Sequence, residues 1–280
     1  MRTRTVLILV LVLVAAVAAG CGGGGDAGGG GDEVVAAFYP LVFLAERIAP
    51  DADVRNLTPP GAEPHDLELS PRDVANLREA RHVLYLGGGF MPSLEDAVAG
   101  RSNAVDLLDG VPRLDDDPHV WLDPGRYATL ARRAAAALGH PAAADPLVAR
   151  LERLDGEFRE GLARCERREI VTSHAAFGYL EAAYGLEQVA LTGLSPEAEP
   201  SPRRLEELVE RIRRERATTV FFETLVSPKL AETVAREAGA RTAVLDPLEG
   251  LSDADAARGD DYFTVMRRNL AALRAALGCR

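Results

Sequence analysis

Lysine is almost missing from this chain. Lys229 stands alone against 31 arginines in 280 residues. That skew suggests a G+C-rich genome and says little about function. Basic charge in general is short, at 32 Lys and Arg against 43 Asp and Glu. The deficit excludes nucleic acid as a partner, which needs a basic surface, and suits a soluble protein that attracts cations. The apolar run from Val6 to Val17 has only 12 residues, too few to span a bilayer comfortably. There are three cysteines, one tryptophan and five histidines, and no two of them fall at a local ligand spacing such as HExxH or CxxC.

The short apolar run is informative for its flanks. A basic head (Arg2, Arg4) precedes it, and Ala18-Ala19-Gly20-Cys21 places small residues directly before a cysteine. These features resemble a bacterial lipoprotein signal, with cleavage before Cys21 and lipid on its thiol. Ala18 departs from the usual leucine, and a plain secretory signal is the alternative. Loss of residues 1–20 removes two arginines and no acid, taking the formal charge from −11 to −13. Residues 22–31 are a glycine-rich tether, flexible by composition. Two cysteines then remain, Cys165 and Cys279. In an exported protein they can form a disulfide or stay as two separate thiols.

Beyond the tether, short apolar runs alternate with amphipathic stretches, the grammar of an α/β protein with parallel sheets. Strands are expected at 34–38, 54–57, 82–86 and 103–105, then at 169–172, 186–190, 219–222 and 241–245. Ser70 with Pro71, and Ser201 with Pro202, pair a capping residue with a first-position proline. Asp145 and Pro146 are read the same way. From there Leu147, Leu151, Leu154, Phe158 and Leu162 form one apolar stripe on a helix of about 20 residues, roughly 30 Å long. The expected organisation is a signal at 1–20, a lipidated tether at 21–33, one lobe at 34–143, a connecting helix at 144–168 and a second lobe at 169–280. Each lobe is a small, mainly parallel sheet flanked by helices.

Ligands of open α/β sheets gather at the carboxyl ends of strands. His65 follows the second expected strand, in a loop rich in breakers (Pro59, Pro60, Gly61, Pro64). His119 follows the fourth, between Pro118 and Pro124. His174 directly follows the fifth strand, and Asp246 the last. A cleft between the lobes could gather all four. Three imidazoles and a carboxylate suit a divalent transition metal, zinc above all. Taken singly, each histidine has an ordinary loop or capping explanation; the set carries the metal reading. His140, past a helix end, and His82, opening a strand, are assigned elsewhere.

Residues 61–73, GAEPHDLELSPRD, resemble the first histidine motif of the metal-binding proteins of zinc and manganese ABC transporters, the cluster A-I substrate-binding group. DPHVWLDP at 117–124 is similar to the second motif and SHAAFGYL at 173–180 to the third. ETLVSPK at 223–229 and LDPL at 245–248 resemble the two late motifs. The resemblance covers about residues 34–277. It implies two α/β lobes joined by one rigid backbone helix, with Asp145 to about Arg167 fitting that helix. It implies His65, His119, His174 and Asp246 as ligands of a metal carried to an ABC permease by a lipid-anchored monomer. At the third position manganese binders tend to carry glutamate and zinc binders histidine, so His174 points to Zn²⁺ over Mn²⁺ or Fe²⁺. The histidine-rich loop of many zinc members is missing here. Glu63 and Glu223 are fallback ligands, with Glu223 read first as a hydrogen-bond partner of a ligand. Trp121 is read as packing near the cleft. A three-histidine zinc hydrolase and an adhesin with a structural metal are the rival classes.

Overall fold

The computed structural model describes residues 33–198 and 200–280. The expected signal, the Cys21 lipidation site and the tether up to residue 32 lie outside the described residues. The first lobe has β1 (Glu33–Ala36), α1 (Tyr39–Ile48), β2 (Asp53–Asn56), α2 (Pro71–Glu79), β3 (His82–Tyr85), α3 (Pro92–Val98), β4 (Ala104–Asp106) and α4 (Pro124–Ala137). Then comes α5 (Asp145–Leu162). The second lobe has β5 (Glu169–Thr172), α6 (Gly178–Tyr184), β6 (Glu187–Ala190), α7 (Pro202–Glu215), β7 (Thr219–Phe222), α8 (Lys229–Ala238), β8 (Arg241–Val244), α9 (Asp253–Ala257) and α10 (Tyr262–Leu277).

Both sheets are parallel and have the same order, β2-β1-β3-β4 and β6-β5-β7-β8. The chain direction across each sheet reverses between its first and third strands. That reversal opens a crevice at the strand carboxyl ends. The fold is therefore α/β in two lobes, each a small parallel sheet with flanking helices.

Helix α5 buries Leu147, Val148, Leu151, Leu154, Phe158 and Leu162 against α4 of the first lobe and α10 of the second. The expected cap at Asp145 is not formed. A 3-10 turn at Pro141–Ala144 feeds straight into the helix, so Asp145 already has helical dihedrals and its side chain caps nothing. Ser70 and Ser201 do cap, each accepting a bond from the third-position N–H. The short helix α9 lies in the connection between β8 and α10.

The hydrophobic core is continuous through the first lobe, α5, α6 and α10. A second, smaller cluster lies under α7 and α8, built from Val171, Val189, Leu208, Ile212, Val220 and Val234 among others. The second lobe is thus cored on one side with the first lobe and on the other side by itself. Cys165 and Cys279 are joined by a disulfide that ties the segment after α5 to the end of α10. Among the described residues, no helix is long and apolar enough to cross a membrane.

Candidate metal centre

Three histidines meet where the lobes face each other. His65 sits on a one-turn 3-10 segment, Pro64–Asp66, whose start is capped by Glu63: the carboxylate accepts the His65 N–H at 3.2 Å. His119 comes from the turn after β4 and His174 from the turn after β5. Both are fully buried. His65 is slightly open to solvent and stands edge-on to Phe90, with ring centroids 4.6 Å apart.

The buried pair is oriented by carboxylates. Asp117 accepts from the His119 backbone N–H at 2.9 Å and lies 2.7 Å from Nδ1. Glu223, at the end of β7, accepts from the His174 N–H at 3.2 Å and lies 2.7 Å from Nδ1. A carboxylate on Nδ1 holds the proton there and turns Nε2 inward, the usual support of a metal-binding imidazole. Asp117 also fits closely against the other lobe. A Cβ on Gly178 would meet its Oδ2 at 2.6 Å, so the glycine of SHAAFG allows the approach.

The fourth group is Glu249. Its Oε1 lies 3.3 Å from His65 Nε2, 3.0 Å from His119 Nε2 and 3.4 Å from His174 Nε2, and the two buried Nε2 atoms are 3.4 Å apart. One ligand atom from each of the four residues lies within 4.8 Å of every other. Donors about 2.0–2.1 Å from a tetrahedral centre sit about 3.3–3.4 Å from one another, and the four distances just given, 3.0–3.4 Å, lie close to that. Glu249 is 1% exposed, and its Oε2 has no hydrogen-bond partner among the described residues. A buried anionic oxygen without a donor fits a site built for a cation.

Asp246, expected as a ligand, stands apart. Its Oδ1 accepts from the Leu248 N–H at 2.8 Å and its Oδ2 from the Thr224 hydroxyl at 3.1 Å. It lines a separate cavity of about 260 Å³ with Thr224, Asp255 and Asn269. The carboxylate at the strand end holds the turn, and the chain passes through Pro247 and Leu248 before an acid reaches the histidines. The sequence signal for Glu249 was slight: an acid beyond a proline, three residues past the strand-end aspartate. Glu63 pins the His65 backbone, and Glu223 supports the His174 ring from behind. Trp121 is buried, and its indole N–H donates to Pro247 O at 2.7 Å. His82 and His140 line a different cavity at the opposite end of the first sheet.

Charge in the cluster is strongly coupled. Burial pulls the His174 imidazole down, but hydrogen bonds and charge from Glu223 and Glu249 overcome that and push its pKa up to about 10. His119 behaves likewise: burial opposes protonation, Asp117 and Glu249 reverse it, and the value stands above the ordinary one. Burial raises Glu249, but its three histidine contacts dominate and hold it well below the usual carboxylate range. Glu63 is pushed up to about 8, by burial first and then by the charge of Glu249. Without metal, protonation of the imidazoles therefore offsets part of the carboxylate charge.

A two-lobed α/β protein with a buried three-histidine, one-carboxylate centre between its lobes is the class that this fold and site define. Comparison with known proteins agrees. Residues 34–276 match the zinc-uptake complex component A (periplasmic) family, and the chain belongs to it. It is 33% identical over 284 residues to the zinc-binding protein AdcA of Streptococcus pyogenes serotype M6, across 86% of this chain and 55% of that protein. The chain thus spans about half the length of that relative. It is 33% identical over 280 residues to the high-affinity zinc uptake system protein ZnuA of Bacillus subtilis strain 168, across 87% of both. The crystal structure of the Zn(II)-bound ZnuA-like domain of Streptococcus pneumoniae AdcA superposes with a TM-score of 0.76 at 34% identity, covering 88% of this chain and 98% of that one.

Proposed function

We propose that this chain captures Zn²⁺ outside the cytoplasm and hands it to an ABC permease. The ion is cargo, bound by Nε2 of His65, His119 and His174 and by the Glu249 carboxylate. The observation that carries this is the convergence of three imidazole nitrogens on one buried carboxylate oxygen at 3.0–3.4 Å, with two of the imidazoles oriented from behind. Borderline-soft nitrogen donors in a four-coordinate array favour zinc over manganese, which prefers oxygen donors and six-fold coordination. Four protein donors make a closed set, the pattern of binding rather than of hydrolysis at an open position. The family is a transport family, not an enzyme family. Lipid on Cys21 would hold the protein at the membrane, and the glycine tether would let a single copy move locally.

The test is calorimetric competition among Zn²⁺, Mn²⁺, Fe²⁺ and Co²⁺ on protein made without the signal segment. Zinc is expected to bind tightest at one ion per chain. A preference for manganese, or no binding at all, would sink the reading. Global unfolding on chelation would argue for a structural metal instead.

A further inference from the structure

One helix reaches two of the turns that carry buried donors, those of His119 and Glu249. On α10, Tyr262 and Asn269 are seven residues apart, two helical turns or about 10.5 Å along one face. The Tyr262 hydroxyl donates to Trp121 O at 2.7 Å, two residues beyond His119. Asn269 brackets Asp246 at the start of the Glu249 turn: its Oδ1 accepts the Asp246 N–H at 3.0 Å, and its Nδ2 donates to Asp246 O at 2.7 Å. The two turns are tied directly as well, by the Trp121 indole on Pro247 O. All three side chains are buried. The first turn of α10 is set into the first lobe, where Tyr262 lies 4.5 Å from the Tyr127 ring, while the rest of the helix packs on β5, β8 and α5.

We propose that α10 is the ruler of the metal centre, with Tyr262 and Asn269 as positioning residues that fix the distance between the His119 and Glu249 donors. The inference rests on the zinc-capture reading and deepens it. Neither residue touches the ion. A rigid span keeps the donor spacing near a zinc tetrahedron and disfavours larger coordination shells, so the ruler sets selectivity as well as affinity. Asp246 belongs to this device: it is gripped at its backbone by Asn269, and its carboxylate braces Leu248, a residue held at φ +57° where a non-glycine side chain is disfavoured.

The test compares the wild-type chain without its signal segment with Asn269→Ala and Tyr262→Phe, using zinc, cobalt and manganese salts alone as probes. Asn269→Ala is expected to weaken zinc about tenfold or more, the cost of losing support behind a ligand. It should also shift or weaken the visible cobalt absorption of a four-coordinate site and lower the zinc-to-manganese affinity ratio. Tyr262→Phe, which keeps the ring and loses one donor, should move the same readouts by less. If Asn269→Ala does not fold, Asn269→Asp, which keeps the acceptor and loses the Nδ2 donor, takes its place. Folded variants with wild-type zinc affinity and an unchanged cobalt band, whatever their melting temperature, would overturn the ruler. Wild-type protein that bound neither zinc nor cobalt would instead remove the zinc reading beneath it.

Discussion

The three histidines of the centre are held in two different ways. His119 and His174 are sealed, each with a carboxylate on its Nδ1 and its backbone N–H on the same acid. The His119 brace is local, two residues away in its own turn. The His174 brace reaches it from the neighbouring strand β7, at the reversal point of the second sheet. Among the described residues, His65 has no such brace. Its loop is pinned at the backbone by Glu63, its ring rests on Phe90, and it keeps some solvent contact. Two donors are therefore preorganised by buried charge, and the third is held by a turn. Of the three, His65 is the one whose side chain reaches solvent.

The comparison breaks first at a sealed ligand. His119→Ala removes a donor and leaves Asp117 and Glu249 buried without their shared imidazole. Zinc affinity should fall well beyond the 10- to 100-fold that loss of a supporting group costs, and apo stability should fall with it. His65→Ala, at the looser position, should lose less affinity, leave the melting temperature nearly unchanged, and act chiefly by speeding release. Stopped-flow release into a chelator, set beside calorimetry, checks the pair. Equal losses of stability in the two variants would erase the distinction.

Protons sharpen it next. Because His174 is raised to about 10, its imidazole carries a proton near neutral pH in the metal-free protein; His119 is raised too, by Asp117 and Glu249, so protons are favoured at the site. Zinc has to displace them. Binding near pH 7 should release roughly one to two protons, and affinity should climb as pH rises. Calorimetry in buffers of different ionisation enthalpy counts the protons. The metal-free stability runs the other way. The raised His174 pKa contributes stability that is fully present below about 6.5 and is lost as pH rises through about 10. A zinc affinity independent of pH between 6 and 8 would contradict the charge balance described for the cluster.

The supporting acids come third. Asp117→Asn and Glu223→Gln keep shape and remove charge. Each should weaken zinc by about 10- to 100-fold and bring the imidazole behind which it stands back toward ordinary titration, as followed by NMR. A local brace can relax with its turn, whereas Glu223 is fixed by the sheet, so the Glu223 change should be the larger of the two.

Much of this was legible in the residues. The alternation of short apolar runs with capped amphipathic stretches announced two parallel sheets, because βα units have few other ways to bury both faces of a strand. Histidines among prolines at strand ends marked the cleft, because breakers free the backbone there and leave a side chain little reason to be buried except for chemistry. What was not legible is how a turn folds after its strand stops. Asp246 sits where a ligand is expected, yet its carboxylate is nearer the amide of Leu248 than to any imidazole. Glu249 reaches the histidines after a turn in which Leu248 adopts a left-handed backbone and Asn269, twenty residues further on in sequence, grips the Asp246 backbone. Nothing local in 245–249 encodes that reach.

The smallest expected effect therefore decides between the two acids. Asp246→Asn preserves the turn: its amide oxygen can accept from Leu248 N–H, and its amide nitrogen can donate to the Thr224 hydroxyl. Zinc affinity should stay within about threefold of wild type, less than loss of even a supporting group costs, whereas Glu249→Gln should lose far more. Stability adds a signed check. Asp246 is raised to about 6, by burial before any other cause, so its folding contribution is present below about 3.8 and is lost as pH rises through about 6. The asparagine variant escapes that loss. It should be more stable than wild type near pH 7.5, by about 1 to 3 kcal/mol, with the advantage vanishing near pH 4 in urea melts. If the folded variant instead loses zinc as completely as Glu249→Gln does, Asp246 returns to the ligand set.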